Sequence, residues 1–141
     1  MQLSLHTDYA LRTLMTLATE DRLMTVDELA TVHAISRNHL AKVVQHLQAR
    51  GWIDTVRGRG GGIRLAMLPA EIGVGQVVRN FETLDSFVAC MADGSSCTIT
   101  GACGLKPALR GALEAFLAHL DRFTLADIAR DRSGLKALLA G

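Results

Sequence analysis

Residues 25–66, TVDELATVHAISRNHLAKVVQHLQARGWIDTVRGRGGGIRLA, contain two helical patterns followed by a pair of short strands. Thr25 and Glu28 have the spacing of a capping box, in which the hydroxyl and the carboxylate satisfy the free amides at a helix start. This helix is predicted to end near His33, and Ser36 is the predicted N-cap of the next one. Two short helices joined by a tight turn, the second longer and basic, are typical of a helix-turn-helix.

The second helix of this motif is amphipathic, and a hairpin follows it directly. Its apolar positions share one face: Leu40, Val43, Val44 and Leu47. Gly51 suits the position just beyond the helix end. Residues 53–56 and 63–66 are predicted to be strands joined by a flexible basic tip at residues 57–62. A β-hairpin in this position is the wing of a winged helix.

Basic residues concentrate in the same stretch. Between Ser36 and Arg64 there are six Lys or Arg residues and one acidic residue, Asp54, whereas the whole chain has a net charge of +1. A local basic face on a nearly neutral chain predicts a nucleic-acid-binding surface, since a solvated helix face would mix the two signs more evenly. The glycine run is not a nucleotide-phosphate loop, because neither G-x4-G-K-[ST] nor G-x-G-x-x-G before a helix is present.

A further helix is predicted on each side of this stretch. The first runs from about residue 7 to residue 19, with Thr7 as its N-cap and Leu11, Leu14, Met15 and Ala18 on one face. Asp8 then lies in the first turn, where a carboxylate complements the helix dipole, and that structural role is sufficient by itself. A second, short helix is predicted after Pro69, with one apolar face: Val74, Val77, Val78 and Phe81.

The C-terminal third of the chain predicts a long helix that begins near Pro107 and has a wide apolar stripe: Leu109, Leu113, Phe116, Leu117 and Leu120. The stripe exceeds what one winged helix needs to cover, so we interpret it as a dimerisation helix. Packing within the same chain is the alternative. Thr124 and Asp127 cap a further short turn, and the tail from Ser133 is predicted to be a final helical turn or a frayed end.

All three cysteines lie in one Gly- and Ser-containing segment, CMADGSSCTITGAC, at residues 90–103. Such a segment is predicted to be a surface loop. Three soft thiolates that converge on one point favour a metal or iron–sulfur centre, with the fourth ligand from elsewhere. A zinc staple is an alternative, but it usually has C-x2-C pairs. Free thiols without a cofactor are another, but free cysteines are normally buried in regular structure.

Length and composition restrict the class of protein. A chain of 141 residues with 49% hydrophobic residues predicts one domain, or one domain with an appended element, and excludes general disorder. No apolar run approaches the roughly 20 residues of a membrane span, and the N-terminus lacks the basic leader of a secretory signal. We therefore expect a cytoplasmic protein with reduced thiols. An enzyme is not expected, because paired catalytic carboxylates and a Ser/His/Asp set are missing.

Taken together, five segments resemble the family of bacterial winged-helix regulators that carry iron–sulfur clusters. They are DYALR at residues 8–12, SRNHLAKVV at 36–44, RGRGGGIRLA at 57–66, the cysteine segment, and TLADI at 124–128. Asn38, His39 and the GGIRL of the wing resemble the nitric-oxide-sensing branch. The resemblance implies a mainly α winged helix-turn-helix at residues 1–68, a short helix and cluster loop at 69–106, and a dimerisation helix and tail at 107–141.

The resemblance also implies a homodimeric repressor on a near-palindromic double-stranded DNA operator. The third helix would enter the major groove and the wing the adjacent minor groove. Arg37, Asn38 and His39 would face base edges, whereas Lys42 and the wing arginines would mostly engage phosphate or the minor groove. The full set of implied DNA-binding residues is Ser36, Arg37, Asn38, His39, Lys42, Arg57, Arg59 and Gly60.

For the cluster, the resemblance implies Cys90, Cys97 and Cys103 as ligands, with [4Fe-4S] favoured over [2Fe-2S]. One branch of the family takes its fourth ligand from a histidine three residues after the last cysteine, where this chain has Lys106. Part of the nitric-oxide-sensing branch uses an aspartate from the other subunit, and Asp8 stands at the matching place. Nitric oxide would then relieve repression. The alternatives are a sensor of iron–sulfur or redox status, an iron–sulfur electron carrier or enzyme, and a cofactor-free thiol switch.

Overall fold

The computed structural model of the chain describes residues 2–141 and contains helices with one small sheet. The helices are α1 (Leu5–Glu20), α2 (Val26–His33), α3 (Arg37–Ala49), α4 (Val74–Phe81), α5 (Leu105–Leu120), α6 (Leu125–Ile128) and α7 (Arg132–Leu139). The strands are β1 (Ile53–Val56) and β2 (Gly62–Leu65), which pair antiparallel. This order confirms the predicted winged helix-turn-helix.

The helix-turn-helix forms as its local signals predict. The amide of Thr25 donates to the Glu28 carboxylate at 2.7 Å, and the Thr25 hydroxyl accepts from the Glu28 amide at 3.1 Å, which completes the capping box. Ala34 takes a left-handed conformation (φ 53°) and reverses the chain after α2. The Ser36 hydroxyl then caps α3 by accepting from the His39 amide at 3.2 Å. Both predicted N-caps of the motif are confirmed.

The predicted start of α1 is wrong. The helix begins at Leu5, and its N-cap is Ser4, whose hydroxyl accepts from the Thr7 amide at 3.1 Å. Thr7 is fully buried instead, and its hydroxyl donates to the Glu82 carboxylate at the end of α4. The residue predicted as the cap therefore has a tertiary partner that its neighbours in sequence do not reveal.

The wing is held at its base by the chain that precedes α2. Met24 and Ile63 exchange two backbone hydrogen bonds, of 3.0 and 2.7 Å. Val56 pairs with Gly62, so β2 begins and ends one residue earlier than predicted. Gly58 and Gly60 lie in the tip with φ of 98° and 69°, a region in which glycine carries no steric penalty.

The hydrophobic core lies between the first three helices and the sheet, and segments beyond the wing complete it. Fully buried side chains from the winged helix include Leu14, Leu29, Leu40, Leu47, Ile53 and Ile63. Ile72, Phe81 and Leu125 belong to the same cluster. Burial of each such side chain stabilises the fold by about 1.5–3 kcal/mol. The segments that lead into and out of the cysteine loop are thus fixed to the DNA-binding motif.

In α5, Pro107 lies in the first turn, as predicted. Leu117 is buried, and the rest of the predicted stripe is half-buried: Leu109, Leu113, Phe116 and Leu120. Leu113 and Phe116 line a cavity with Val78 of α4, so this part of the stripe faces its own chain. The tail from Arg132 to Leu139 forms a helix that is longer than the predicted final turn. No helix within residues 2–141 has the length and apolar character needed to cross a membrane.

Candidate nucleic-acid interface and cysteine loop

The N-terminal end of α3 presents polar side chains to solvent. Ser36, Arg37, Asn38 and Lys42 are all exposed, and Ser36 uses its hydroxyl as the helix cap. Arg37 forms an ion pair with Asp27 of α2, in which Nε donates to Oδ1 at 2.6 Å. The predicted base-reading end of the helix is therefore accessible, and its one arginine has an intramolecular partner.

His39 belongs to an aromatic cluster that the sequence does not predict. Its half-buried ring lies edge-on against Tyr9, with the centroids 4.9 Å apart, and it also lies near His6 of α1. His6 Nε2 and His46 Nδ1 are 3.3 Å apart, and His46 stacks on Phe81 with the centroids 3.9 Å apart. The five rings, which we call the histidine cluster, join α3 to α1 and α4.

Two histidines of the cluster, His6 and His46, lie in surroundings that favour the neutral imidazole. Burial lowers the pKa of His6, and the charges of His46 and His39 lower it further. Burial also lowers the pKa of His46, with the charge of Arg50 acting in the same direction. A hydrogen bond between two imidazoles needs an unprotonated acceptor nitrogen, so a low pKa preserves the contact between α1 and α3.

The tip of the wing is exposed and basic. Arg57, Arg59 and Gly60 are all exposed, and the tip is closed by a hydrogen bond of 3.0 Å from the Gly61 amide to the Gly58 carbonyl. Neither arginine forms an ion pair with another residue in the described part of the chain. Both guanidinium groups are thus available to phosphate.

The cysteine loop consists of irregular backbone with two short 3-10 turns, Ala89–Met91 and Thr100–Ala102. Cys90 and Cys103 are half-buried, Cys97 is exposed, and all three are free thiols. Cys90 and Cys97 line an open cavity of about 660 Å³. Within residues 2–141, no three His, Cys, Asp or Glu side chains lie close enough to hold a metal ion. The predicted convergence of the three sulfurs therefore requires the loop to rearrange.

The donor set nevertheless fits a thiolate-bound metal centre in its chemistry. The three sulfurs are unpaired and lie on a loop with few regular backbone hydrogen bonds, which can reshape around a ligand. Thiolates are the ligands that iron–sulfur clusters take in proteins. The three cysteines that would hold an iron–sulfur cluster are therefore present, but their sulfurs are not arranged to bind one.

Asp8 is held by an arginine of its own helix. Its carboxylate accepts from Arg12 through both oxygens, at 3.2 Å from Nε and 2.8 Å from Nη2. The Asp8 side chain is half-buried in the first turn of α1, and it is not grouped with the cysteines of the same chain. Each oxygen keeps a second lone pair, so a metal bound at Asp8 would either share the carboxylate with Arg12 or displace the arginine.

Glu82 connects the two segments that carry the predicted ligands. It follows α4 directly, and its carboxylate accepts from the Ser4 amide at 2.7 Å and from the Thr7 hydroxyl. Burial raises the pKa of Glu82, but the hydrogen bonds from Thr7 and Ser4 outweigh this effect, so its pKa lies below the usual range. The helix that bears Asp8 is thereby tied to the segment that leads to Cys90.

A helix-turn-helix with an exposed basic end, followed by a two-stranded wing, defines this chain as a winged-helix DNA-binding protein. The family model for Rrf2, described as an iron-dependent transcriptional regulator, matches residues 3–131, and the chain belongs to this family. The sequence resemblance is confirmed, as is the prediction that the chain is a regulator and not an enzyme.

Two relatives are similar over almost their full length. The chain is 48% identical to the HTH-type transcriptional regulator NsrR of Geobacillus kaustophilus, over 99% of this chain and 97% of that protein. It is 44% identical to NsrR of Bacillus subtilis, with the same coverage of both chains. Among solved structures, IscR of T. potens has a TM-score of 0.74 and 23% identity, and covers 93% of this chain and 88% of its own. This structural likeness confirms the fold.

Proposed function

We propose that this protein is a homodimeric transcriptional repressor whose operator binding is relieved when nitric oxide reacts with an iron–sulfur cluster on the cysteine loop. The observation that carries the proposal is three free thiols on one accessible loop of a winged-helix fold. The similarity to two regulators named NsrR supports the choice of signal. The name of the family, iron-dependent transcriptional regulator, supports iron as the metal.

We assign the cluster to Cys90, Cys97 and Cys103 of one subunit and to the partner subunit's Asp8, with [4Fe-4S] favoured over [2Fe-2S]. When bound, such a cluster supplies iron that can react with nitric oxide, and an oxygen ligand exchanges more readily than a thiolate. Arg12 holds both oxygens of Asp8, so it competes with any metal for this carboxylate. This competition makes Asp8 the most easily released of the four ligands.

The exposed face of α5 supports a dimer. Five small residues on this face are exposed: Ala108, Gly111, Ala112, Ala115 and Ala118. Small side chains let two helices approach closely, and the exposed Leu105 at the start of α5 adds apolar surface to this helix. We therefore place a second copy of the chain against this face. A two-fold dimer would present two α3 helices to a near-palindromic operator, with half-sites about 34–36 Å apart.

The DNA contacts follow from exposure and charge. Arg37 and Asn38 are exposed at the start of α3, where side chains reach base edges, and Lys42 lies one turn further along. Arg57, Arg59 and Gly60 of the wing would approach the adjacent minor groove. His39 would have to leave its contact with Tyr9 to reach a base.

A route from the cysteine loop to the DNA-binding surface runs through this chain's own contacts. Glu82 joins the segment before the loop to the start of α1, and Phe81 stacks on His46 of α3. Rearrangement of the loop can thus shift α4, and with it the recognition helix. A coupling of about 3 kcal/mol between the two states would change operator affinity about a hundredfold.

The test is a nitric oxide titration of the iron-loaded protein, prepared without oxygen, with operator binding followed by fluorescence anisotropy. We expect affinity to fall about a hundredfold in step with the loss of cluster absorbance. A variant with Cys90, Cys97 and Cys103 changed to alanine should not respond to nitric oxide. Operator binding that persists while the cluster is destroyed would contradict nitric oxide as the signal. A response to iron chelation alone would favour a sensor of iron–sulfur status.

A further inference from the structure

We propose that Asp27 is a positioning residue that sets the base preference of Arg37. The proposal rests on the proposed function, because it needs α3 to lie in the major groove. Asp27 lies in the first turn of α2, and Arg37 is the first residue of α3. Because the helix-turn-helix brings these two helix starts together, a carboxylate from one helix meets the predicted base-reading arginine of the other.

The contact leaves one donor pair of the guanidinium free. Nε donates to Oδ1 of Asp27 at 2.6 Å, and Nη1 and Nη2 have no hydrogen-bond partner among residues 2–141. Guanine presents O6 and N7 as two neighbouring acceptors in the major groove, which suit a pair of parallel N–H donors. An arginine held at Nε offers its two terminal nitrogens end-on. A guanidinium can donate to guanine through Nε and one Nη, or through Nη1 and Nη2. The ion pair with Asp27 occupies Nε and so selects the second arrangement.

The same ion pair does little for the stability of the free protein. Both side chains are 69% exposed, and an exposed pair is weak because water and salt screen it. In a groove from which water is excluded, the attraction grows and the arginine side chain keeps fewer conformations. The contact therefore matters most when DNA is bound.

Asp27 also carries a negative charge beside a surface that is proposed to face phosphate. This charge repels DNA of any sequence and weakens binding. The contact between Arg37 and guanine offsets this loss of binding free energy, and only at sites that have guanine in the right position. A group that weakens binding to all DNA while it favours one base is a specificity device. A purely structural role, such as complementing the dipole of α2, would produce no base preference.

The experiment uses the iron-loaded dimer and an operator library that varies each position of both half-sites. We expect Arg37→Ala to abolish the preference for guanine at one base pair per half-site, and Asp27→Ala to reduce it there by about tenfold. Binding of Asp27→Ala to an unrelated duplex should be a few-fold tighter than that of the parent. In the Arg37→Ala background, Asp27→Ala should have no further effect on base preference.

Two variants serve as controls. Asp27→Asn keeps an oxygen acceptor for Nε and should retain part of the preference, which separates orientation from charge. Asp54 is also exposed and lies between Ser36 and Arg64, but it does not contact Arg37. Asp54→Asn should therefore retain the full guanine preference.

The outcomes separate this proposal from the proposed function. Full guanine preference in Asp27→Ala, with loss in Arg37→Ala, overturns the role of Asp27 alone. An equal effect of Asp27→Ala with and without Arg37 also overturns it. If Arg37→Ala leaves every base preference unchanged, then α3 does not read the operator through this residue and the role of Asp27 fails. The proposed function fails here only if the parent dimer itself shows no operator preference.

Discussion

His33 is a half-buried histidine at the end of α2, and its Nε2 lies 2.7 Å from the Thr16 hydroxyl of α1. Burial lowers the pKa of His33 from its ordinary value of 6.5, and the charge of Arg12 lowers it further. The unfolded chain therefore binds a proton at a higher pH than the folded chain does. The stability that depends on neutral His33 is complete above about pH 6.5 and is lost as the pH falls below that value.

We expect the free energy of unfolding to fall as the pH is lowered from about 7.5 to 5.5, and to fall less steeply in His33→Gln. The difference in slope can reach about 1.4 kcal/mol per pH unit, which corresponds to one proton. Urea denaturation of the iron-free protein at several pH values measures both slopes. Parallel slopes for the two proteins would show that another group, such as His6 or His46 with their lowered pKa values, accounts for the dependence.

Contacts between side chains that are distant in sequence could not be predicted. His6 and His46 are 40 residues apart, and Thr7 and Glu82 are 75 residues apart, so no local pattern links either pair. The three cysteines could be singled out because they are close in sequence and share a polar loop. Asp8 could be selected only by resemblance, because its position also suits a residue that complements the helix dipole.

The helices and strands followed their local signals except where a distant residue intervened. The capping boxes at Thr25 and Thr124 were predictable because both partners lie within four residues. The start of α1 was not predictable, because the Thr7 hydroxyl donates to the distant Glu82 carboxylate. The length of α7 was not predictable either. Arg132 donates to the Thr19 carbonyl at 3.0 Å and fixes the tail against α1.

The wing depends on the absence of a side chain at Gly61. A Cβ there would lie 2.2 Å from the Val56 carbonyl oxygen and 2.8 Å from that of Gly58, both of which are backbone atoms. We expect Gly61→Ala to open the turn and to destabilise the protein by about 1–3 kcal/mol. Operator affinity should fall as well, because the arginines of the tip would move. Thermal melting and anisotropy measure the two effects.

Gly60→Asn is the matched control for the wing. Gly60 has a φ of 69°, and no atom lies within 4 Å of a Cβ built there. Asparagine tolerates this left-handed conformation better than most residues, so the melting temperature should stay close to that of the parent. If Gly61→Ala and Gly60→Asn both have the melting temperature of the parent, the turn relaxes around the added methyl group and the steric argument fails.

The whole molecule is proposed to work as a dimer in which each cluster takes ligands from both subunits. In its own chain Asp8 is bound by Arg12, and the proposal places it on the cluster of the partner subunit. A mixed dimer can test this directly. One chain carries Asp8→Ala and keeps its cysteines, and the other keeps Asp8 but has all three cysteines changed to alanine. Only a ligand that crosses between subunits completes a four-ligand set here.

The control is the reciprocal mixed dimer, in which one chain is unchanged and the other carries all four substitutions. It contains the same substitutions, but its only complete set lies within a single chain. With iron loaded into both dimers without oxygen, we expect a chelator to remove iron slowly from the first, as from the parent, and quickly from the second, as from the Asp8→Ala homodimer. The opposite order would place Asp8 on the cluster of its own chain. Slow release from both mixed dimers and from the Asp8→Ala homodimer would mean that Asp8 does not bind the cluster.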